Sequence, residues 1–435
     1  MGNRLSEALH VAPGGCIQGE IIVPGDKSIS HRAVMFGALA AGETMIRDCL
    51  LGADVLATIE AFKALGATIE VDGTEVRIKG LGARGLCEPQ QSIDLGNSGT
   101  SMRLLTGILA GSGTRARLIG DSSLSRRPMR RVVDPLVKMG ARIETSSHGT
   151  PPIVIAPSTG LTGIEYPMPI ASAQVKSALL LAGLSAAGTT TVIEPQPTRD
   201  HTERMLEDFG VQVVRDGARI SIAGGQTLTA VSIRVPADIS SAAFFMVGAA
   251  IAEGGDVTLR GVGMNPTRTG VLEVLRLMGA QIDINNEQLV GHEPIADVRI
   301  RESRLRAIEV PRELVPLAID EFPVLFVAAA CARGTTIVRG AGELRHKESD
   351  RIAVMAEGLT TLGIESETFE DGIAISGGSI GGGEIDAHDD HRIAMAFAMA
   401  ALAANKTITI TAAENISTSF PSFVSLARGS GLKVQ

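Results

Sequence analysis

The chain has 435 residues, of which 44% are hydrophobic and 20% charged, and its net charge is -8. This length exceeds that of one ordinary hydrophobic core and predicts two domains, and the composition is that of a globular chain and not a disordered one. The acidic balance, the absence of Trp and the single Tyr argue against a protein that binds nucleic acid through basic surface and stacked bases. We therefore expect small-molecule ligands.

Cysteine usage and hydropathy indicate the compartment. The four cysteines form no CxxC pair, and with the lack of a signal-peptide pattern this predicts a cytoplasmic protein. The apolar runs are shorter than the eighteen or so residues that a membrane span needs, so we expect no association with the membrane. Gly2 and Ser6 fit the loose myristoylation pattern, which we attribute to chance because no polybasic segment follows.

The first informative element is PGDKSISHR, residues 24–32, which precedes the apolar segment AVMFGALAAG. A lysine at a helix start resembles the phosphate-binding loop of nucleotide hydrolases, but that loop requires Gly, four residues and then Gly-Lys. Here Asp26 separates Gly25 from Lys27, and Glu20 stands where the first Gly is required. The segment therefore predicts an anion site at a helix N-terminus and excludes a nucleotide-binding loop.

A similar unit recurs along the chain: a polar lead-in, a nearly all-apolar helix, a short strand, and a second helix that closes with glycine. The closing glycines are Gly66, Gly140, Gly210, Gly279, Gly363 and Gly431, roughly 70 residues apart. Units of this size predict βαβ-type blocks, three in each domain. Helices that are apolar on every face must be buried on every face, so we expect them at the centres of the domains.

The polar lead-ins predict where ligands bind. If the buried helices of both domains point their N-termini toward each other, they create an electropositive cleft for a multiply anionic substrate. The cations predicted to line it are Lys27, Arg32, Arg103, Arg126, Arg127, Lys176, Arg199, Arg268, Arg345, Lys347, Arg351 and Arg392. Arg103 is the weakest of these predictions, because it can also pair within its own helix.

Two segments offer candidates for acid-base chemistry. Asp320-Glu321 stands at a predicted helix start, where a carboxylate serves either as a cap or as a base. Glu348 lies between Lys347 and Arg351, where it is either an ion-paired group or a proton carrier. We interpret Asp238 as a helix cap only.

The segment DAHDDHR invites a metal-site interpretation, which we reject. No further histidine stands at a ligand spacing, Asp390 suits a helix cap, and Arg392 would repel a cation. We expect neither metal nor cofactor. A nucleophilic mechanism is also disfavoured, since no cysteine lies in a cationic loop and no G-x-S-x-G motif is present.

These motifs, taken in order, resemble the 5-enolpyruvylshikimate-3-phosphate synthase family over essentially the whole chain. The matching segments are PGDKSISHR, LGNSGTSMR, LSRRPM, SAQVKSALLLAGL, TRDHTE, NPTRTG, DEFPVL, ELRHKESDR and DDHRIAMAFAMA. The resemblance implies an α/β inverse barrel of two domains, each built from three βαβαββ units. Because the family chain crosses between the domains twice, we expect residues 1–24 and 238–435 to form a discontinuous domain 1 and residues 25–237 to form domain 2. It also implies transfer of the enolpyruvyl group of phosphoenolpyruvate to the 5-hydroxyl of shikimate 3-phosphate, by addition and elimination through a tetrahedral intermediate.

The resemblance further implies a residue set. Shikimate 3-phosphate is expected at Lys27, Ser28, Arg32, Ser172, Ala173, Gln174, Arg199, Asp320 and Lys347, with its phosphate at Ser172, Ala173 and Arg199. Phosphoenolpyruvate is expected at Lys27, Gly99, Arg127, Gln174, Arg351 and Arg392. The catalytic groups implied are Asp320, which orients or deprotonates the hydroxyl, and Glu348 and Lys27, which carry protons.

The motifs SAQVK, RDHT and NPTR resemble the second class of this family, which includes glyphosate-tolerant members. Gly99 stands where strongly tolerant members carry Ala, and Thr418 stands where first-class members carry a Lys that reaches phosphoenolpyruvate. The family implies a monomer.

Two alternatives remain from the sequence. One is the sister enzyme that adds enolpyruvyl to a uridine-diphosphate amino sugar, although the Cys and the Ala-Lys-Asn run usual in its members are missing here. The other is a repeat protein that binds a polyanion without catalysis, which Asp320, Glu348 and the net charge argue against.

Overall fold

The computed structural model describes residues 8–82 and 85–435, so the pattern at Gly2 and Ser6 lies outside the described residues. The chain divides into two compact units. Unit 1 comprises Met1–Pro24, Pro236–Leu289 and Pro294–Gln435, and unit 2 comprises Gly25–Val235 and Val290–Glu293. Within the described ranges, no helix is both long enough and apolar enough to cross a membrane.

The helices of the described residues are α1 (Lys27–Leu39), α2 (Ala53–Ala64), α3 (Gly99–Ser112), α4 (Arg130–Lys138), α5 (Ala173–Gly183), α6 (His201–Asp208), α7 (Ile239–Ile251), α8 (Gly270–Leu277), α9 (Phe322–Ala330), α10 (Arg351–Thr361), α11 (His391–Ala400), α12 (Ile416–Ser419) and α13 (Phe423–Ser430). The segments predicted as buried helices are α1, α3 and α5 in unit 2 and α7, α9 and α11 in unit 1. Their burial is confirmed, because almost every residue of each is buried beyond its first turn.

The strands are β1 (Leu9–Gly15), β2 (Gln18–Ile21), β3 (Ala41–Arg47), β4 (Thr68–Asp72), β5 (Glu75–Leu81), β6 (Ile93–Asp94), β7 (Ala116–Ile119), β8 (Arg142–Glu144), β9 (Ile153–Ala156), β10 (Glu165–Pro167), β11 (Thr189–Ile193), β12 (Val213–Asp216), β13 (Arg219–Ala223), β14 (Ser232–Arg234), β15 (Asp256–Gly263), β16 (Gln281–Val290), β17 (Glu293–Arg301), β18 (Thr335–Val338), β19 (Ser366–Phe369), β20 (Gly372–Ser376), β21 (Gly383–Asp386), β22 (Ile408–Thr411) and β23 (Leu432–Val434).

The three sheets of the described part of unit 2 share one pattern. Their strand orders are β14-β3-β5-β4, β6-β7-β9-β8 and β10-β11-β13-β12. In each sheet the first pair is parallel and the next two pairs are antiparallel. The recurrence in structure follows the recurrence in sequence, since equivalent segments occupy equivalent places in the sheets.

Unit 1 contains the remaining sheets, with the orders β21-β22-β1-β23, β16-β17-β15-β2 and β18-β20-β19 among the described residues. Its core surrounds α7, α9 and α11 and includes a cluster of aromatic rings. Phe245, Phe420 and Phe423 lie with ring centroids 5.6 to 6.1 Å apart, within the range of favourable aromatic contacts.

The closing glycines end helices by adopting positive φ. Gly66, Gly140, Gly210, Gly279, Gly363 and Gly431 all have φ between 81° and 117°. A residue with a Cβ is strained in this conformation, so glycine is favoured where the chain leaves the helix and turns into the next strand.

A different glycine sets the distance between two buried helices of unit 2. A Cβ on Gly107 of α3 would lie 2.2 Å from the carbonyl oxygen of Ala178 in α5, which no structure tolerates. The missing side chain therefore lets α3 and α5 approach closely. Their first turns are joined by hydrogen bonds of Gln174 to Arg103 and Thr100, described below.

Candidate active site

In unit 2, the N-terminus of α1 presents Lys27. Asp26 caps the helix by accepting a hydrogen bond from the Ile29 amide at 2.9 Å. Lys27 is the first residue of the helix, and its Nζ lies 3.2 Å from Oδ2 of Asp54 in α2. The Lys27 side chain is only 20% exposed, so this pair holds the ammonium group at the helix start.

Arg32, one turn further along α1, is buried in a polar layer between helices. Its Nε donates to Oγ1 of Thr202 at 2.7 Å, its Nη2 to Oγ of Ser177 at 2.9 Å, and its Nη1 to the Ser28 carbonyl at 2.9 Å. Burial lowers the pKa of Arg32 to about 10, against the opposing effect of the Glu203 carboxylate. The group therefore stays cationic at neutral pH.

The start of α3 brings Gly99 beside two arginines. Ser98 caps the helix by accepting from the Ser101 amide. A Cβ on Gly99 would lie 2.8 Å from Nη1 of Arg103 and 3.1 Å from Nη1 of Arg127. The absence of a side chain at this position leaves room for both guanidinium groups next to the amides of the helix start.

Gln174 links α5 to α3. Its Oε1 accepts from Nη1 of Arg103 at 2.7 Å, and its Nε2 donates to Oγ1 of Thr100 at 3.0 Å. Pairing of Arg103 within its own helix, which the sequence allows, is limited to a long hydrogen bond of 3.4 Å to the Gly99 carbonyl. The shorter hydrogen bond of Arg103 is the one to Gln174 in the neighbouring helix. Arg103 therefore fixes the orientation of Gln174.

Arg127 follows a 3-10 turn, Leu124–Arg126, and is oriented by Asn97. Nη2 of Arg127 donates to Oδ1 of Asn97, whose Nδ2 in turn donates to Oδ2 of Asp121 at 2.8 Å. Asp121 also accepts from the Leu124 amide at 2.7 Å and so stabilises the turn that carries Arg127. The Arg127 side chain is thus oriented by a chain of hydrogen bonds through Asn97 to Asp121.

The third helix start of unit 2 carries Ser172, Ala173 and Arg199. Ser172 caps α5, and Ala173 is the first residue of that helix, so unbonded amides are available there. Arg199 lies half-buried in the loop between β11 and α6. Hydrogen bonds that Arg32 of α1 and Arg103 of α3 donate to α5 bring the three helix starts of this unit together.

Three of the predicted cleft cations have other positions. Lys176 is fully buried, and its Nζ lies 3.0 Å from Glu194 and 2.7 Å from Glu203, so it cannot line an open cleft. Arg345 in unit 1 donates to the backbone carbonyls of Phe369 and Glu370 and to Asp350, which is a structural role. Arg268 is also buried and lies 3.4 Å from Asp238. All three have partners within their own unit, since a charge in a polar lead-in does not reveal which way it faces.

In unit 1, Asp320 lies just before α9 and contacts several cationic side chains. Its Oδ1 lies 3.2 Å from Nζ of Lys347 and 3.4 Å from Nη1 of Arg351. Its backbone carbonyl accepts from Nη1 of Arg392 at 2.9 Å. The predicted residues of this unit are therefore brought together around one carboxylate.

Arg351, the first residue of α10, is the buried centre of this cluster. Its Nε lies 2.7 Å from Oδ2 of Asp390 and its Nη2 lies 2.7 Å from Oε2 of Glu348. Burial opposes the charge, but the carboxylates of Asp390, Glu348 and Asp320 raise the pKa of Arg351 above its usual value. The arginine is thus permanently charged, and Glu348 is held against it at a position that is 25% exposed.

Glu321 is the buried member of the Asp320-Glu321 pair, for which the sequence leaves a cap or a base open. Its Oε1 accepts from Oγ of Ser240 and lies 3.7 Å from both Arg268 and Arg392. Arg268 also donates to Ser240 at 2.6 Å. Glu321 therefore helps to orient Arg392, and its place beside Asp320 in the DEFP motif was the available signal.

The DAHDDHR segment forms a helix cap. Asp390 is buried, accepts from the Arg392 amide at 3.0 Å and caps α11, as the sequence predicts. Asp238 likewise caps α7, but it also lies 3.4 Å from Arg268, so it has more than the single role predicted. Among the residues that the structure describes, no group of three or more His, Cys, Asp or Glu is arranged to hold a metal ion.

A family model described as EPSP synthase (3-phosphoshikimate 1-carboxyvinyltransferase) matches residues 11–426. The chain is 58% identical over 429 residues to the 3-phosphoshikimate 1-carboxyvinyltransferase of Nitrosococcus oceani, with 98% of this chain and 97% of that protein covered. It is 60% identical over 433 residues to that of Halorhodospira halophila, with 99% and 97% covered.

Solved structures agree. An EPSP synthase from Acinetobacter baumannii matches with a TM-score of 0.90 at 52% identity, covering 98% of this chain and 99% of that one. An enolpyruvyl transferase from Streptomyces tendae matches with a TM-score of 0.81 at 19% identity over 98% of both chains, which shows a likeness of fold alone. The mixed α/β fold predicted from the sequence is confirmed.

Proposed function

This chain belongs to the EPSP synthase family, and on that premise we propose how its residues carry out the family reaction. The chain is an enzyme of the shikimate pathway that transfers the carboxyvinyl group of phosphoenolpyruvate to shikimate 3-phosphate. The proposal concerns which side chains bind each substrate and which move protons.

Shikimate 3-phosphate is assigned to the helix starts of unit 2 and to two residues of unit 1. Its phosphate binds Ser172, Ala173 and Arg199, where the amides of α5 and a guanidinium group suit a doubly charged anion. Its ring and hydroxyl groups bind the remaining residues of the set, namely Lys27, Ser28, Arg32, Gln174, Asp320 and Lys347. The placement of Arg32 between two hydroxyl groups supports this assignment, since its orientation is fixed before the substrate arrives.

Phosphoenolpyruvate is assigned to Lys27, Gly99, Arg127, Gln174, Arg351 and Arg392. The observation that carries this assignment is that three guanidinium groups, Arg127, Arg351 and Arg392, are each held by polar partners within their own unit. A carboxylate and a phosphate on one small molecule need several cations in fixed positions.

The chemistry proceeds by addition and elimination. Asp320 accepts the proton of the 5-hydroxyl of shikimate 3-phosphate while the hydroxyl oxygen attacks the enol carbon of phosphoenolpyruvate. The methylene carbon of phosphoenolpyruvate is protonated to a methyl group, which gives a tetrahedral ketal phosphate. Inorganic phosphate then leaves while a methyl proton is removed, and the double bond is restored. Glu348 and Lys27 carry protons in these steps, and the surrounding cations offset the repulsion between two anionic substrates.

The motifs SAQVK, RDHT and NPTR support membership of the second class, and Thr418 stands in place of a lysine contact to phosphoenolpyruvate. Gly99 argues against strong glyphosate tolerance. We further propose a cytoplasmic protein, from its cysteine pattern, and a monomer, from the family resemblance. The net charge of -8, the absence of Trp and the single Tyr argue against nucleic-acid binding.

The test is release of inorganic phosphate from phosphoenolpyruvate with and without shikimate 3-phosphate. We expect release to require shikimate 3-phosphate, and release without it would contradict the proposal. Lys27→Ala and Glu348→Ala are expected to lower kcat at least 100-fold while the melting temperature stays within a few degrees, since a positioned acid or base contributes about 10²–10⁴-fold. The exposed ion-pair variants Lys63→Ala and Glu273→Ala are the matched controls, with unchanged turnover. Full activity in both test variants would remove these groups from the mechanism.

A further inference from the structure

Lys176 is a buried charge that the proposed mechanism does not use. It is the fourth residue of α5, and its Nζ lies 3.0 Å from Oε1 of Glu194 and 2.7 Å from Oε1 of Glu203. The side chains are 1%, 9% and 1% exposed, so all three charges are removed from water. We call these residues the Lys176 triad.

Stability alone is a weak reason for such a triad. The desolvation of buried ions often exceeds their attraction, and well-packed apolar residues of similar volume are frequently as stable or more stable. Burial raises the pKa of the Glu203 carboxyl even though Lys176 lies beside it, which shows the unfavourable setting of the charge. What an ion triad provides and apolar packing does not is a fixed geometry between the elements it joins.

The elements it joins are those that carry the proposed phosphate ligands. Glu194 directly follows β11, and Glu203 lies in the first turn of α6, so the two carboxylates mark the ends of the loop that contains Arg199. The same Oε1 of Glu194 accepts a hydrogen bond from Thr198, the residue before Arg199. On the other side, Lys176 belongs to the helix whose start is formed by Ser172 and Ala173.

We propose that Lys176 is a positioning residue that sets the place of Arg199 relative to the start of α5, so that the phosphate of shikimate 3-phosphate meets both at once. One ammonium group fastens both ends of the Arg199 loop to α5. The inference rests on the proposed function, because it assumes that Arg199 and the amides of α5 bind this phosphate.

A second contact supports the same interface. Next to the pair of Lys176 and Glu203, Oγ of Ser177 and Oγ1 of Thr202 lie 2.7 Å apart, and both accept from Arg32. Two consecutive residues of α5, Lys176 and Ser177, thus contact two consecutive residues of α6, Glu203 and Thr202, through polar groups. Such directional contacts specify one register between the two helices, which apolar packing does less strictly.

The experiment replaces the whole triad, because removal of Lys176 alone would leave two buried carboxylates unpaired. The triple variant K176M, E194Q and E203M keeps side-chain volume, and we expect it to melt within a few degrees of the parent protein. We expect its KM for shikimate 3-phosphate to rise at least 10-fold, with kcat and the KM for phosphoenolpyruvate changed less than about threefold. If the triad served stability alone, its replacement would change the melting temperature and would not raise the KM for shikimate 3-phosphate above that for phosphoenolpyruvate.

Arg199→Gln, alone and combined with the triple variant, identifies the route of the effect. If the triad acts through Arg199, the two KM increases are not multiplicative, because the second change has little left to remove. If Arg199→Gln alone leaves the KM for shikimate 3-phosphate unchanged, the proposed role of Arg199 fails. If Arg199→Gln raises that KM but the folded triple variant does not, or if the increases multiply, the proposed function stands and the inference about Lys176 is overturned.

Two further variants, E194Q and a replacement of the exposed pair of Lys63 and Glu60, test the same inference. If the triple variant does not fold, E194Q alone is measured in the same way, since it removes the most exposed charge and leaves the pair of Lys176 and Glu203 in place. A rise of about threefold in the KM for shikimate 3-phosphate supports the inference, and an unchanged KM overturns it. The matched control replaces Lys63 and Glu60, an exposed pair on α2, by Met and Gln, for which no kinetic change is expected.

Discussion

Replacing Gly99 by alanine tests the steric limit at the start of α3. The new Cβ would lie 3.1 Å from Nη1 of Arg127, where ordinary contact begins at 3.4 Å, so the guanidinium group must withdraw by about 0.3 Å. Arg103 must withdraw by about 0.6 Å from its distance of 2.8 Å. Loss of one charge-assisted hydrogen bond to phosphoenolpyruvate costs about 1.5–3 kcal/mol. We therefore expect the KM for phosphoenolpyruvate to rise about 10- to 100-fold.

The free energy of unfolding should change little. Gly99 has a φ that any residue can adopt, so alanine gains about 0.5 kcal/mol through the unfolded chain, but the displacement of Arg103 opposes this gain. The measurements are steady-state kinetics for each substrate and thermal melting. The matched control is Gly429→Ala in α13, since its Cβ would meet nothing within 4 Å. An unchanged KM for phosphoenolpyruvate, or an equal rise for shikimate 3-phosphate, would refute the argument.

Two further predictions concern stability. His31 is buried against Oγ1 of Thr58, and burial, with Lys27 and Arg32 adding to it, lowers its pKa from 6.5 to about 3. The unfolded chain therefore binds the proton more readily, so the contribution of neutral His31 to the free energy of unfolding is complete above pH 6.5, and about 2 kcal/mol of it is lost by pH 5. In urea unfolding at several pH values, the free energy of unfolding should fall less steeply with acid in His31→Asn than in the parent protein. Parallel profiles for the two proteins would contradict the prediction. Glu321→Gln removes the buried charge near Arg268 and Arg392, and we expect the free energy of unfolding to fall by about 3 kcal/mol. The same substitution at exposed Glu273 should cost below about 1 kcal/mol, and equal losses would show that burial does not matter here.

The sequence predicts the helix starts well because the signals there are local. A capping side chain and the amide that donates a hydrogen bond to it lie two or three residues apart in the sequence, as with Asp26 and Ile29 or Asp390 and Arg392. The closing glycines are equally local, since positive φ is a property of one residue. These features depend little on the rest of the molecule.

The partners of the site cations were not predictable in this way. Asp54 holds Lys27 across 27 residues, and Asn97 holds Arg127 across 30, so both contacts depend on how separate elements pack. Lys176 shows a second limit. In a helix that is apolar on every face, hydrophobic periodicity does not indicate which side a lone charge occupies, and its burial could not be inferred from its spacing.

Arg351 connects binding to proton chemistry in unit 1. One guanidinium group contacts Asp320, Glu348 and Asp390, so the carboxylates assigned to proton transfer share a single cation. A proton gained by either Asp320 or Glu348 weakens its attraction to Arg351 and thereby changes the electrostatic potential at the other. Replacement of Arg351 would therefore remove a phosphoenolpyruvate ligand and also alter both carboxylates. Its effect on kcat would exceed that of a cation that only binds, since the energies of residues in one network do not add.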